Sequence, residues 1–325
     1  MEPYAEVVEQ YVAFAADCTD ESPCFEEWAL GIAEDPVAAA WVAELPGIKK
    51  QPNIVFAAAR WHGVPAPGPY AGLRAALLDD DGTIRTTILE RSTQTNEVAR
   101  LATLLPAFAL AVPTGPVALI EVGASAGLNL CPDRWGYEWR TPDGVVELGP
   151  APRLPTEVTG PAPLPTARPE IAWRAGIDLN PLDVRDPDAM AWLETLVWPE
   201  QEDRRTRLAH AVEVAREDPP RIVRGDLLEE LPALVAEGSE HGTVLVFHSA
   251  VAAYLTEADR VRFQELMTGL VADGACHWVS NEGPRVLPEV TGDGPVPGPG
   301  TFVLGLDGRM VGHAGGHGQR LHWLG

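Results

Sequence analysis

The sequence has few cysteines, few basic residues and no long apolar run, and each shortage narrows the possible functions. The four cysteines form no C-x-x-C pair, which argues against a zinc knuckle and a disulfide framework. Only 24 lysines and arginines stand against 47 aspartates and glutamates, so the formal net charge of the 325 residues is -23 at pH 7. This charge repels phosphate backbones and anionic lipid, and we expect neither nucleic acid nor a membrane as a partner.

Nothing at the N-terminus or in the hydropathy pattern predicts export. The first residues lack the basic start and the apolar segment of a signal peptide. No stretch reaches the roughly 20 apolar residues that are needed to span a bilayer. We therefore expect a reduced cytoplasmic protein that acts on a small-molecule substrate, and the pattern leaves its oligomeric state open.

The first third of the chain has the pattern of helices. Ser22 and Asp35 each precede a proline, and a capping residue followed by a first-turn proline is typical of a helix start. A longer helix is predicted over about 92–111, with a kink at Pro106. Residues 1–112 are therefore predicted to form a helical cap domain.

After Gly115 the pattern changes to strands that alternate with helices. The predicted strands are 117–121, 171–178, 221–225, 243–248 and 275–280, and the helices between them are 187–217, 227–237 and 256–272. Such alternation predicts right-handed crossovers and a mainly parallel sheet of the α/β class. Asp307-Gly308, between 301–306 and 309–313, is a hairpin signal and predicts an antiparallel edge, to which 319–324 adds a short strand.

An insertion separates the first two predicted strands. Residues 137–140 and 145–148 have the pattern of a hairpin, and a proline-rich connection follows over 149–169. We therefore predict a second domain over residues 113–325, with a hairpin and a proline-rich insertion at about 135–170.

The most informative motif follows the first predicted strand. Residues 117–120 are an apolar run typical of a buried strand, and they lead through Glu121 into a turn marked by Gly123 and Gly127. A strand, a glycine turn and a helix together form nucleotide-cofactor sites. The same turn also fits G-x-S-x-G, the elbow that presents the nucleophile of a hydrolase, here Ser125.

Two observations favour a cofactor site over a nucleophile elbow. In an α/β-hydrolase several strands precede the elbow, whereas the region before Gly115 is predicted to be helical. Polar residues also follow the later strands, namely Asp178 with Leu179 and Asn180, Asp226 with Gly225 and Leu227, and His248 with Ser249. Open α/β sheets bind ligands at these strand ends, where Asp178 is placed for ribose hydroxyls and Asp226 for an adenine amino group.

The order of these motifs resembles that of the S-adenosylmethionine-dependent methyltransferases of the seven-stranded Rossmann-like type. The resemblance covers about 115–325 and consists of E-x-G-x-x-x-G, then G-x-D, then G-D-L, then an apolar strand. It implies a methyltransferase-like Rossmann sheet with S-adenosylmethionine as the cofactor. The cofactor residues that it implies are Glu121, Gly123, Ala124, Ser125, Gly127, Asn129, Asp178, Leu179, Asn180, Gly225, Asp226, Leu227 and His248. The sequence departs from the pattern at Ser125, where glycine is frequent, and at Pro132, which requires a short helix after the turn.

The whole chain also resembles a bacterial family catalogued as a domain of unknown function. The stretches that carry this closer resemblance are Gln51-Pro52-Asn53, Gln94-Thr95-Asn96-Glu97, Glu121–Leu130, Trp173–Asp183, Trp198-Pro199-Glu200-Gln201 and Phe247-His248-Ser249-Ala250. This resemblance implies no activity.

Five other polar residues have both a functional and a structural interpretation. Asn96, Glu97 and Arg100 lie on one predicted helix and form either a lid over the cofactor or a solvated helix face. Glu200 and Gln201 lie between two predicted helices, where they either reach a substrate or serve local packing.

Two residues are candidates for the chemistry itself. The unperturbed pKa of histidine lies near neutrality, and His248 ends a strand at the expected cleft, so it is either a general base or a structural histidine. Tyr254 either faces the cleft or packs against it. His313, His317 and His322 lie in a glycine-rich tail with no acidic partner nearby, and we expect no metal site there.

The leading hypothesis is S-adenosylmethionine-dependent methyl transfer to an unidentified small molecule. Methyl transfer needs alignment and a deprotonated nucleophile, so few catalytic side chains are obligatory. The alternatives are a non-catalytic ligand-binding or scaffold protein on the same fold, a serine hydrolase that uses Ser125, and a nicotinamide oxidoreductase that uses the same turn.

Overall fold

The chain divides into two units in the computed structural model, which describes residues 4–19, 21–94, 96–298 and 300–325. The helical unit comprises Met1–Thr95 and Pro187–Ala209, and the sheet unit comprises Asn96–Asp186 and His210–Gly325. This division differs from the predicted boundary at residue 112, because the chain enters the sheet unit at Asn96 and later returns to the helical unit.

The α-helices are numbered in chain order. They are α1 (Ala5–Cys18), α2 (Pro23–Glu34), α3 (Pro36–Ala43), α4 (Pro52–Trp61), α5 (Tyr70–Leu78), α6 (Thr83–Glu90), α7 (Arg100–Ala111), α8 (Pro187–Leu196), α9 (Glu202–Glu217), α10 (Leu227–Gly238), α11 (Glu257–Ala272) and α12 (Pro288–Thr291). Within the described ranges, no helix has the length and apolar character needed to cross a membrane.

The predicted starts of α2 and α3 are confirmed. The Ser22 hydroxyl accepts the N–H of Phe25 at 3.3 Å. The Asp35 carboxylate accepts the N–H groups of Val37 and Ala38 at 2.9 and 3.2 Å. In both helices the following proline occupies the first turn, where its missing N–H loses no helical hydrogen bond.

The helix predicted over 92–111 is correct only for its second part. Residues 96–99 are not helical, and α7 begins at Arg100. The buried carboxylate of Glu97 accepts the N–H of Ala99 at 3.1 Å. A side chain that bonds to nearby backbone in this way competes with the helix, which explains the later start.

The strands form one mixed sheet. They are β1 (Pro116–Val122), β2 (Gly136–Thr141), β3 (Gly144–Leu148), β4 (Arg153–Thr159), β5 (Glu170–Asp178), β6 (Arg221–Arg224), β7 (Thr243–Ser249), β8 (His277–Glu282), β9 (Thr301–Leu306), β10 (Arg309–Gly315) and β11 (Arg320–Trp323). Their order is β3-β2-β4-β11-β10-β9-β8-β7-β1-β5-β6. Most neighbours are parallel, so the prediction of a mainly parallel α/β sheet with a helical N-terminal region is confirmed.

The predicted antiparallel edge lies inside the sheet. β9 pairs antiparallel with β8 and with β10, as the Asp307-Gly308 signal indicates, but β11 then pairs with β4, and β2 and β3 follow. β4 was not predicted, because prolines at 152 and 155 obscured its pattern. The alternation of buried Leu154, Thr156 and Val158 with exposed neighbours is the signal that identifies it. The insertion therefore extends the sheet to 11 strands.

Helices cover both faces of the sheet around β1. Ile120 and Val122 pack with residues of α10 and α11 in one apolar core. On the opposite face Phe247, the register partner of Glu121, contacts Phe108 of α7 with ring centres 5.2 Å apart. We call these surfaces the α10 face and the α7 face of the sheet.

We expect Gly123→Ala to destabilise the fold by roughly 2–4 kcal/mol. Gly123 has a φ of +70°, and a Cβ there would lie 2.4 Å from Cγ2 of Val251. Gly269→Ala is the matched control, because no atom lies within 4 Å of its Cβ position in α11, and alanine should stabilise that helix by ~0.5–1 kcal/mol. Urea denaturation measures both. Equal stability of Gly123→Ala and wild type would contradict the close packing at this turn.

Candidate functional site

Hydrogen bonds join the carboxyl ends of β1, β5 and β6. The N–H groups of Gly123 and Ala124 donate to the carbonyl of Ile177 at 2.8 and 3.1 Å. The N–H of Gly225 donates to the carbonyl of Asp178 at 3.1 Å. The structure therefore brings three of the predicted motifs to one edge of the sheet.

The turn after β1 is held by the carboxylate of Asp178. Gly123, Ser125 and Gly127 have φ values of 70°, 51° and 71°. Glycine adopts this left-handed backbone easily, whereas serine requires a constraint. The two oxygens of Asp178 accept the N–H groups of Ser125 and Asn180, each at 2.7 Å. Asp178 therefore has a structural role in addition to any role in binding.

No α-helix follows this turn in the fully described segment up to β2. Leu128–Leu130 and Pro132–Arg134 form short 3-10 turns instead. Pro132 was expected to shorten the helix after the turn, and the structure has no α-helix at this place. Since the pyrophosphate of a dinucleotide binds at a helix N-terminus, this geometry argues against a nicotinamide cofactor.

Glu121 is a buried acid with one unused oxygen. It is 4% exposed. Its Oε1 accepts Nδ2 of Asn129 at 3.1 Å, and Oε2 has no partner among the described residues. Burial raises the pKa of Glu121 to about 8, although Asn129 and Arg100 lower it, while Asp178 raises it further. Glu121 can therefore exchange a proton when a cation approaches.

Arg100 is buried close to Glu121 in the sheet unit. Its Nε donates to the carbonyl of Gly316 at 2.7 Å and its Nη1 to that of Ser249 at 3.2 Å. The guanidinium also lies over the ring of Phe302, 5.5 Å from the centroid. Arg100 is therefore a fixed positive charge inside the sheet unit and not part of a solvated helix face.

The α7 face carries several buried acceptor atoms without a donor. Asn281 donates to Oγ of Ser249 at 2.9 Å, and its own Oδ1 has no partner. Among the described residues, buried acceptor atoms without a partner near the ends of β1 and β8 are Glu121 Oε2, Ser125 Oγ, Asn129 Oδ1, Asn281 Oδ1 and, on the α10 face, Glu282 Oε2. Asn96 Nδ2, before α7, is also unpartnered but is a donor. Buried polar atoms are normally satisfied by protein, water or a ligand. Glu121 and Asn129 bond to each other, and their unpartnered oxygens suit a ligand that supplies N–H or O–H groups.

His248 lies on the α10 face, opposite to Glu121. Its Nδ1 is 2.6 Å from Oε1 of Glu282, and Nε1 of Trp278 donates to its Nε2 at 3.1 Å. The ring is fully buried and packs against Phe263 and Trp278. Both nitrogens have partners, so this arrangement supports the structural interpretation of His248 over the general base.

Tyr254 is the more accessible of the two predicted catalytic residues. Just over half of its surface, 56%, is exposed. The protein around its ring nevertheless raises its pKa by desolvation, Arg100 lowers the pKa and Glu282 raises it. Tyr254 is therefore partly open to solvent and close enough to Arg100 to interact with its charge.

The remaining residues implied for the cofactor lie at the ends of β5 and β6. Asp226 is exposed and begins α10 by accepting the N–H of Leu228 at 2.8 Å. Leu179 and Asn180 are exposed, and Leu227 is half-buried. These positions are open to a ligand, although none has an unsatisfied buried atom.

Glu200 and Gln201 lie in the helical unit and serve its packing. The carboxylate of Glu200 accepts the hydroxyl of Ser22 and the N–H of Cys24, the latter at 2.9 Å, at the start of α2. Gln201 donates to Glu21 at 2.8 Å. Only contacts distant in sequence reveal these roles, and no local signal identifies them.

The family described as an uncharacterized protein conserved in bacteria (DUF2332) matches the chain over residues 8–323. The chain belongs to this family. The match confirms the closer of the two resemblances noted in the sequence. No curated protein and no solved structure matches the chain. Because the family description assigns no activity, the function of this family member has to be argued from its site.

We expect Glu121→Gln to change how stability depends on pH. The pKa of Glu121 rises from 4.5 to about 8 on folding because of burial. Ionisation therefore opposes folding, and stability is lost as pH rises toward the folded-state pKa. From about pH 5 to about pH 8 the free energy of unfolding of wild type should fall, relative to Glu121→Gln, by up to about 1.4 kcal/mol per pH unit. Urea denaturation at several pH values measures this difference, and parallel profiles would contradict the assignment.

We expect Ser125 to resist a fluorophosphonate probe. A hydrolase needs a base within hydrogen-bond reach of its serine, whereas Oγ of Ser125 has no hydrogen-bond partner among the described residues. Intact-mass spectrometry should show no adduct on wild type or on Ser125→Ala, with a known serine hydrolase as the positive control. An adduct that maps to Ser125 would restore the hydrolase hypothesis.

Proposed function

We propose that the protein binds S-adenosylmethionine at the carboxyl ends of β1, β5 and β6 and transfers its methyl group to a small molecule. The order β6-β5-β1-β7-β8 is 3-2-1-4-5 in chain order of these five strands, the arrangement of Rossmann-like sheets. The strand order reverses at β1, because the chain first adds β5 and β6 on one side of it and then β7 and β8 on the other, and such sheets bind ligands at this switch point. The observation that carries the proposal is the unpartnered, buried oxygen of Glu121 at this point.

The residues present fit the parts of this cofactor. The free oxygen of Glu121 suits the amino group of the methionine part, and the positive charge of Arg100 suits its carboxylate. Each oxygen of Asp178 holds one backbone N–H and keeps a second acceptor site for a ribose hydroxyl. Asp226, exposed at the end of β6, suits the adenine amino group.

Catalysis would depend mainly on alignment by these residues. S-adenosylmethionine, when bound, supplies an activated methyl group. The chain would orient the acceptor and exclude water, and only the nucleophile needs to lose a proton. Tyr254, exposed and close to the charge of Arg100, is the candidate for contact with the acceptor. His248 acts as a positioning residue. It bonds to Glu282, which also accepts the N–H groups of Val251 and Ala252 and so holds the segment just before Tyr254.

A non-catalytic ligand-binding protein is the second candidate function. The observation that favours it is the side chain of Val251, which occupies the space beside Gly123. In a cofactor site of this type, glycine in the turn lets the ligand approach the backbone. Val251 takes part of that space here.

We expect S-adenosylhomocysteine to bind and to release a proton from Glu121. Saturating ligand should raise the melting temperature by a few degrees through linkage, and NAD or NADP should not. The buried carboxyl is largely protonated at neutral pH and should ionise beside the ligand's amino group. The buffer takes up the released proton, so calorimetry at pH 7 in phosphate and in Tris, which differ in heat of ionisation, should give different binding heats for wild type. The isosteric Glu121→Gln should bind the ligand more weakly and give equal heats in the two buffers.

Three results separate the hypotheses. Stabilisation by a nicotinamide nucleotide alone would overturn the proposal, as would unchanged binding and proton release in Glu121→Gln. Binding to Val251→Ala but not to wild type would favour the non-catalytic protein, because the valine then closes the pocket.

Asp178→Asn should weaken binding by ~1–3 kcal/mol, and its stability must be measured in parallel because Asp178 also holds the turn.

A further inference from the structure

Two histidines face each other across neighbouring strands in the sheet unit. His313 of β10 and His322 of β11 are direct partners in the antiparallel register. Their ring centres are 6.2 Å apart, with the planes inclined by 33°. Partners in a register point to the same face of a sheet, so both rings share one surface. The glycine-rich sequence around them gave no reason to expect a fixed geometry, but the strand pairing supplies it.

His322 is oriented by a contact from the next strand. Its Nδ1 lies 2.8 Å from Oγ1 of Thr159, which is its register partner on β4. A threonine hydroxyl that accepts the proton of Nδ1 leaves Nε2 with its lone pair. Metal-binding histidines are commonly held by such a bond to the other nitrogen.

His313 carries a nitrogen that the protein leaves unsatisfied. Its Nε2 is buried and has no partner among the described residues. The ring bonds to the backbone of Pro295, and because proline has no N–H, its carbonyl is the acceptor. Since Nε2 has no partner, Nδ1 is the donor, which leaves the lone pair for a metal ion on Nε2.

We propose that His313 and His322 bind one divalent transition-metal ion, Zn²⁺, Ni²⁺ or Cu²⁺, through their Nε2 atoms. Imidazole suits these ions, whereas Mg²⁺ and Ca²⁺ prefer oxygen. A tetrahedral ion with Zn–N distances of about 2.0–2.1 Å holds two ring centres about 5 Å apart, so the rings, now 6.2 Å apart, have to approach by about 1 Å. The described residues contain no cluster of three or more metal-binding side chains. Water completes the coordination.

Calorimetry on the untagged, chelator-treated full chain tests this proposal. Zn²⁺, Ni²⁺ or Cu²⁺ should bind with a stoichiometry of one, and Mg²⁺ and Ca²⁺ should not bind. His313→Gln and His322→Gln should each weaken binding at least tenfold. Thr159→Val should weaken it roughly tenfold, because it removes the group that orients His322.

Two control variants make the test specific. His241→Gln removes an exposed histidine that stacks on Trp173, and His317→Gln removes the histidine between β10 and β11. Both should bind the metal like wild type, and circular dichroism should show that every variant is folded. Absence of binding by wild type, equal binding by His322→Gln, or loss of binding in either control would overturn the two-histidine site.

Discussion

The carboxylate of Asp178 is the interaction on which the shape of the candidate site depends. One of its oxygens holds the N–H of Ser125 and the other holds that of Asn180, so the turns after β1 and β5 are fixed to each other. Hydrogen bonds to an ionised carboxylate are roughly twice as strong as neutral ones, and they offset the strain of a left-handed serine. With this turn held, Glu121 lies buried at the end of β1 and Gly123 packs against Val251.

Two buried ionisable residues at the ends of neighbouring strands have opposite surroundings. Both nitrogens of His248 are bonded, to Glu282 and Trp278, and the ring fills part of the core. Because both ring nitrogens are satisfied, the ring is fixed in one orientation in the core. Glu121 has one bond, to Asn129, and an oxygen that no described residue satisfies. This contrast makes Glu121, and not His248, the centre of the proposed binding site.

Much of the framework could be predicted from the sequence because it follows from local patterns. Local sequence patterns predict the apolar strands β1, β5, β6, β7 and β8. They also predict the Asp307-Gly308 turn and the caps of α2 and α3. β4 was missed because Pro152 directly before it and Pro155 within it obscured the alternation. The early start assigned to α7 was wrong because Glu97 bonds to the backbone of Ala99, a competition that helical periodicity does not show.

By itself, the sequence determined the α/β pattern, the glycine turn after β1, the acids at the strand ends and membership of the family. Only the tertiary structure decided which face of the sheet each end residue occupies. His248 and Ser249 are adjacent in sequence, yet they point to opposite faces because side chains alternate along a strand. Likewise, Glu200 meets Ser22, and His313 meets His322, through folding and register. The physical reason is that these partners are chosen by strand pairing and helix packing between distant segments, which no local pattern encodes.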